Sequence, residues 1–193
     1  LDKADFRALT KKTLFLVSLA TAKRVGELQA LSRNIAMQGQ DMILSYIKTF
    51  IPKTHSEKNP IPSEFRLKSL EDFIDVRDQE RLLCPVRALK FYLQRTKQFP
   101  ARPANLFVSC RNNSRSLSKN AISFFLRETI LQAYSSHPDS SYPKGNISAH
   151  SLRGVATSIN FEKNLSVAAV LEAATWKSTS VFSSFYLKGV QRI

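Results

Sequence analysis

The sequence predicts a mainly helical domain with one small antiparallel β-sheet. Three observations carry that reading. Apolar residues recur at helical spacing near residues 6–20, 85–93 and 118–134. The pattern changes to strand-like only over residues 41–76. The chain has 193 residues, 43% of them hydrophobic, which is enough to bury a core.

The elements follow in order. From Phe6 to Ala20 one face collects Phe6, Leu9, Thr13, Leu16, Val17 and Ala20, while Leu14, Phe15 and Leu19 add apolar surface elsewhere. That helix is expected to be buried on most sides. Thr21–Arg24 is small and polar and breaks it, and Glu27–Leu31 resumes as a short helix. Met42–Ile47 reads as a strand, the proline-bearing stretch 51–62 as a hairpin loop, Phe65–Leu67 as the return strand and Phe73–Val76 as a third short piece. Pro85 suits a first helical position and opens a helix with Val86, Leu89, Phe91, Tyr92 and Leu93 on its apolar face. Leu106–Ser109 reads as a short buried segment and Asn112–Ser114 as a turn. Ser118 caps a helix to about Tyr134, with Ile122, Phe125, Leu126 and Ile130 inward. After a loop at Ser135–Gly145, Ser148 caps the helix that carries His150 and Arg153. Residues Val167–Ala174 follow, and Ser178 caps a final helix through Tyr186.

Charge narrows the partners. Twenty-nine Lys and Arg stand against 15 Asp and Glu, a formal net charge of +14. A folded domain this basic faces a polyanion, and nucleic acid is the first expectation. Cys84 and Cys110 are the only cysteines and form no C-x-x-C pair, so a zinc finger is excluded and two reduced thiols are expected. No apolar run is long enough to span a bilayer, and no membrane partner is expected. P-loop, G-x-G-x-x-G and H-E-x-x-H patterns are all missing, and the sparse acids do not pair into the carboxylate cluster a two-metal nuclease needs.

Several residues carry chemistry instead. His150 and Arg153, three apart on a helix, fall on one face and can address one phosphate. Arg24, at a helix junction, offers a guanidinium fork to phosphate oxygens, and Glu27 can orient a side chain there. The indole N–H of Trp176 is a pure donor, and Tyr186 supplies a phenol beside Phe182 and Phe185. Each has an ordinary reading when taken alone. His-x-x-Arg is common, Arg24–Glu27 would be a surface i,i+3 salt bridge, and Trp176 and Tyr186 would be core aromatics.

Taken together these segments resemble the catalytic domain of the tyrosine recombinase (phage-integrase-like) family. Ala22-Lys23-Arg24-Val25-Gly26-Glu27-Leu28 resembles the family's first arginine box, and Ala149-His150-Ser151-Leu152-Arg153-Gly154 its His-x-x-Arg box. Trp176 falls where the family has His or Trp, and Tyr186 where it has the nucleophile. The interval between them is one residue longer than usual. Leu83–Leu89 and Ala174–Ser178 look most like recombinases of DIRS-like and Ngaro-like retrotransposons.

The resemblance implies that the whole chain, 1–193, is a catalytic domain, with an N-terminal DNA-clamping domain outside it. It implies metal-free and cofactor-free cleavage of duplex DNA by Tyr186 through a 3′-phosphotyrosyl link. Arg24, His150, Arg153 and Trp176 would act on the phosphate and Glu27 would support them. A lysine of the β-hairpin would protonate the leaving 5′-oxygen. Lys48, Lys53 and Lys58 are candidates, and Lys53, in Pro52-Lys53-Thr54, fits the family's Lys-Thr turn best. The expected setting is a homotetramer on paired DNA sites, in the nucleus, serving a transposable element. Type IB topoisomerase-like relaxation and a domesticated, cleavage-inactive DNA-binding protein are the alternatives. An RNA-binding module finds no aromatic strand to support it.

Overall fold

The computed structural model describes residues 5–53, 55–57, 62–71, 74, 77–136 and 147–162, with side chains to residue 157. It is mainly helical with a three-stranded antiparallel sheet. In chain order the elements are α1 (Phe6–Thr21), α2 (Val25–Gln29), β1 (Ala36–Gln38), β2 (Asp41–Ser45), β3 (Glu64–Leu67), α3 (Arg77–Leu83), α4 (Pro85–Lys97), α5 (Lys119–Ser135) and α6 (Ala149–Glu162).

Helix α1 is the axis of the fold and packs against α4, α5 and α6. Leu9, Thr13, Leu14, Leu16, Val17 and Thr21 are buried on it, so it is covered on most sides as its composition predicts. Ala20, expected inward, is exposed, because the stripe drifts off the contact face at the helix end. The helix stops at Ala22, which takes the left-handed φ of 49° and sends its N–H back to the Ser18 carbonyl at 2.9 Å. A non-glycine residue there costs roughly 1 kcal/mol. The sharp reversal delivers Lys23 and Arg24 directly beside the start of α2.

The sheet runs in the order β1-β2-β3, with Met42 opposite Leu67 and Leu44 opposite Phe65. Met42 and Leu44 alternate inward, as period-two burial requires. Gly39 turns the β1–β2 hairpin with φ +62°, open to glycine without strain. The expected strand Met42–Ile47 is shorter at its end, because Tyr46 leaves the ladder to bridge Leu31 and Ile47 donates to the Ala30 carbonyl at 2.9 Å. Among the described residues the third strand is β1; of the expected piece at Phe73–Val76 only Ile74 is described, and the rest lies outside the described residues. β1 escaped the sequence reading because its three residues are all exposed and show no alternation. Helix α3 escaped it too: Arg77–Leu83 is charged, and only Glu80 is buried.

Helices α4, α5 and α6 match their signals, α2 spans Val25–Gln29 rather than the expected Glu27–Leu31, and the expected final helix through Tyr186 lies outside the described residues. Pro85 is at the start of α4, where the Cys84 sulfur accepts from the Arg87 N–H at 3.5 Å. Cys84 is buried, Cys110 is half-buried, and both are free thiols. Ser118 caps α5 by accepting from Ala121 N–H at 3.2 Å, and Ser148 caps α6 by accepting from Ser151 N–H at 3.2 Å. Leu106, Phe107 and Val108 form the expected buried segment. Val108 N–H donates to the Tyr92 hydroxyl at 2.9 Å, which fixes that segment on α4.

Candidate active site

The end of the short helix α2, with the two residues that follow it, is held by two segments. Asn105 Nδ2 donates to the Gln29 carbonyl at 2.7 Å, Leu106 N–H to the Leu31 carbonyl at 2.7 Å, and Ile47 N–H to the Ala30 carbonyl. Five residues of helix would not persist alone. These anchors make its N-terminus a fixed platform, with Arg24 as the N-cap residue. The Glu27 carboxylate reaches back to accept from the Arg24 backbone N–H at 2.8 Å. The reciprocal bond of a capping box is closed to arginine, whose guanidinium has no acceptor.

Glu27 is the centre of the site. It is only 2% exposed, so it is no surface salt-bridge partner. Its Oε2 stands 3.6 Å from Arg24 Nη1 and 3.6 Å from Arg153 Nη1. Its Oε1 accepts from the Tyr46 hydroxyl at 3.4 Å. Two arginines from opposite ends of the described chain therefore meet on one carboxylate. Burial and the Glu27 carboxylate both push the Tyr46 phenol far above its ordinary range. Tyr46 is thereby kept as a neutral hydrogen-bond donor.

Helix α6 brings the third group. Arg153 is 2% exposed and reaches inward, whereas His150, one turn earlier, is exposed. The i,i+3 spacing thus does not give the two side chains equal access. His150 sits at the rim and Arg153 beneath it. The protein beside the ring, then the charges of Arg153 and Arg24, lower the His150 pKa from its ordinary value of 6.5. His150 also borders a cavity of about 500 Å³ with Val25, Ser123, Phe124 and Arg127. Behind Arg24, Lys23 is buried with its Nζ 4.5 Å from the centre of the Phe65 ring.

Arg24, Glu27, His150 and Arg153 are thus brought together. Lys53 and Lys48 are exposed in the connection between β2 and β3. Lys58, Trp176 and Tyr186 lie outside the described residues. Lys23 and Tyr46 were missed as members of this cluster. Lys23 stands inside the arginine box, but nothing local marks its side chain as buried against Phe65, and Tyr46 looks like any strand aromatic until its hydroxyl is seen on Glu27. Among the described residues no group of three or more His, Cys, Asp or Glu side chains is arranged to hold a metal ion.

The arrangement can bind an oxyanion. Cations from two segments and a rim imidazole address one place, and the guanidiniums suit phosphate oxygens.

No family model matches the chain, and no curated protein matches it in sequence. Solved structures do match in shape. A XerH site-specific recombinase bound to palindromic difH substrate in a post-cleavage complex superposes with a TM-score of 0.63 at 16% identity, over 94% of this chain and 44% of that one. A lambda integrase dimer (residues 75–356) bound to a COC′ core site gives 0.56 at 14%, over 95% and 54%. A XerA recombinase gives 0.58 at 16%, over 91% and 55%. The chain spans about half the length of these proteins. Its fold is that of the catalytic domain of tyrosine recombinases.

Proposed function

We propose that this chain is the catalytic domain of a tyrosine recombinase that cuts and rejoins duplex DNA without metal or cofactor. The observation that carries the reading is the meeting of Arg24 and Arg153 on the buried Glu27, with His150 at the rim, inside a recombinase fold. A net charge of +14 supports a polyanionic partner.

In this reading the Tyr186 oxygen attacks a backbone phosphorus as the bond to the 5′-oxygen breaks. A 3′-phosphotyrosyl link and a free 5′-hydroxyl result, and attack by a 5′-hydroxyl reverses the step on the same or another strand. Arg24 and Arg153 stabilise charge growing on the non-bridging oxygens, which is where fixed cations lower a barrier most. Glu27 holds both guanidiniums. His150, held toward the neutral imidazole by its lowered pKa, donates its N–H to the phosphate or takes the tyrosine proton. Trp176 donates to a non-bridging oxygen, and Lys53, with Lys48 and Lys58 as the other hairpin candidates, protonates the leaving 5′-oxygen. Strand exchange needs paired sites, hence a tetramer of this protein on DNA. The likeness of Leu83–Leu89 and Ala174–Ser178 to DIRS-like and Ngaro-like recombinases points to a transposable element acting in a nucleus.

The test is a nicked suicide duplex incubated with the full-length protein. The wild type should trap a denaturation-resistant protein–DNA adduct that maps to Tyr186. Tyr186→Phe should bind the duplex equally and form none. A wild type that binds without forming an adduct, or a Phe variant that still forms one, would overturn the reading.

A further inference from the structure

We propose that Lys23 is a positioning residue: through Phe65 and Tyr46 it holds the β2–β3 hairpin, and the lysines of its connection, in register with the Arg24–Glu27–Arg153 cluster. The inference deepens the recombinase reading and rests on it.

Lys23 is 6% exposed, a rare state for a lysine. Its ammonium lies 4.5 Å from the centre of the Phe65 ring, a cation–π contact between the α1–α2 junction and β3. The Phe65 ring stands 5.7 Å from that of Tyr46, which leaves the end of β2, and Tyr46 in turn stands 5.2 Å from Phe50. The Tyr46 hydroxyl donates to Glu27. The path leaves the chain at residue 23, crosses both strands of the hairpin and returns at residue 27. It is a closed circuit of side chains whose two ends flank Arg24.

Burying this ammonium is unfavourable. Desolvation is the largest influence on its pKa and lowers it; Glu27 opposes that, and Arg153 and Arg24 add to it. A methionine would fill the same volume without that cost, but it would lose the attraction to the ring face. What the charge contributes is direction, because the ammonium fixes where the Phe65 ring must lie. Phe65 pairs with Leu44 across the sheet, so fixing it fixes the base of the β2–β3 connection. Lys48 and Lys53 are carried on that connection and are exposed. Their reach toward a leaving 5′-oxygen depends on the angle at which the hairpin leaves its base. A displacement of about 1 Å at a reacting group can cost a hundredfold in rate.

The chemistry supplies a readout that a merely structural role would not move. An alkoxide leaves poorly without a proton. A thiolate, whose conjugate acid has a pKa near ~8.5, leaves without one. A nicked duplex with sulfur in place of the bridging 5′-oxygen therefore bypasses a misplaced proton donor.

The experiment compares Lys23→Met, Lys23→Arg and Phe65→Leu with wild-type full-length protein on oxygen- and sulfur-bridged nicked duplexes. Single-turnover adduct formation is followed, with DNA affinity and thermal unfolding measured in parallel. Lys23→Met should be slowed roughly tenfold to a hundredfold on the oxygen substrate and should match the wild type on the sulfur substrate. DNA affinity should hold. Phe65→Leu, which removes the ring face, should show the same pattern, and Lys23→Arg should recover much of the loss. Wild-type rates for both Lys23→Met and Phe65→Leu on the oxygen substrate would overturn the inference, as would an equal loss on both substrates. If Lys23→Met does not fold, Phe65→Leu decides by the same two-substrate comparison. Failure of the wild type on both substrates would overturn the recombinase reading itself, and this inference with it.

Discussion

Glu80 and Glu27 are both buried carboxylates facing arginine, yet they differ in distance and in the number of cations they meet. Arg87 Nε donates to both oxygens of Glu80, at 3.1 and 2.8 Å, and Arg87 Nη2 lies 2.7 Å from Oε2. The hydrogen bonds from Arg87 hold the Glu80 carboxyl below the usual carboxylate range, and the same bonds raise the Arg87 pKa. Around Glu27 the guanidinium contacts are 3.6 Å, and Arg24 and Arg153 share one oxygen. Lys23 lies close enough for its charge to feel all three. Short bidentate pairing matches one charge to one charge and closes a joint between α3 and α4. Several cations gathered on one carboxylate leave local positive potential that a phosphate can use. Burial of an ion pair therefore does not by itself identify a site, but stoichiometry and distance do.

The largest expected effect sets the two clusters against each other. Arg153→Ala should slow adduct formation by about a hundredfold to a thousandfold, with a much smaller loss of DNA affinity, because its contribution is made in the transition state. Arg87→Ala should instead destabilise the fold by about 1–2 kcal/mol, since it removes charge-assisted hydrogen bonds at a partly solvated pair, and leave the adduct rate per folded molecule unchanged. Single-turnover cleavage and urea unfolding of both variants decide this. Rates that fall equally would erase the distinction.

Acid sharpens it. The lowered pKa of Glu80 means that its pair contributes fully above about pH 4.5 and loses that contribution as pH falls through the lowered value. The stability gap between wild type and Glu80→Gln, read from unfolding curves across pH, should close in that acid range. A gap that persists into strong acid would show that the pair is not what stabilises the joint.

Tyr46→Phe should cost about 1 kcal/mol of stability, the usual worth of one hydrogen bond. It should also slow cleavage less than Arg153→Ala does, because Glu27 keeps both arginines. An effect on cleavage as large as that of Arg153→Ala would move Tyr46 from support to the chemistry.

The smallest effect is a titration. His150 should show an NMR midpoint below 6.5 in the free protein. With its folded pKa lowered, its contribution to stability is present above pH 6.5 and is lost as pH falls through the lowered midpoint. Bound phosphate favours the imidazolium, so duplex DNA should move the midpoint upward. A midpoint that DNA leaves unchanged would place His150 away from the bound backbone.

Much of the fold was legible because strong local signals agree with the tertiary answer. Pro85, Ser118 and Ser148 mark helix starts through chemistry that acts within one turn. The apolar stripe of residues 6–20 reports burial on its own. Weak elements were not legible. The three exposed residues of β1 gain strand structure only by pairing with β2, and α3 has almost no buried face. Of the site, Arg24, Glu27, His150 and Arg153 could be named as candidates from two short boxes. The partners that hold them could not, because Lys23, Tyr46 and Phe65 meet across elements by contacts that leave no periodic trace.

By itself the sequence determined the charge, the starts of α4, α5 and α6, the strand through Met42 and the pair of arginine-bearing boxes. Each follows from side-chain chemistry or from spacing within a few residues. Only the tertiary structure decided that Arg24 and Arg153 share a single carboxylate, that Arg153 is buried while His150 stays at the rim, and that Lys23 reaches a ring on β3. The reason is that long-range contacts depend on how whole elements pack. The left-handed turn at Ala22 and the clamps on α2 bring together groups that local spacing cannot relate.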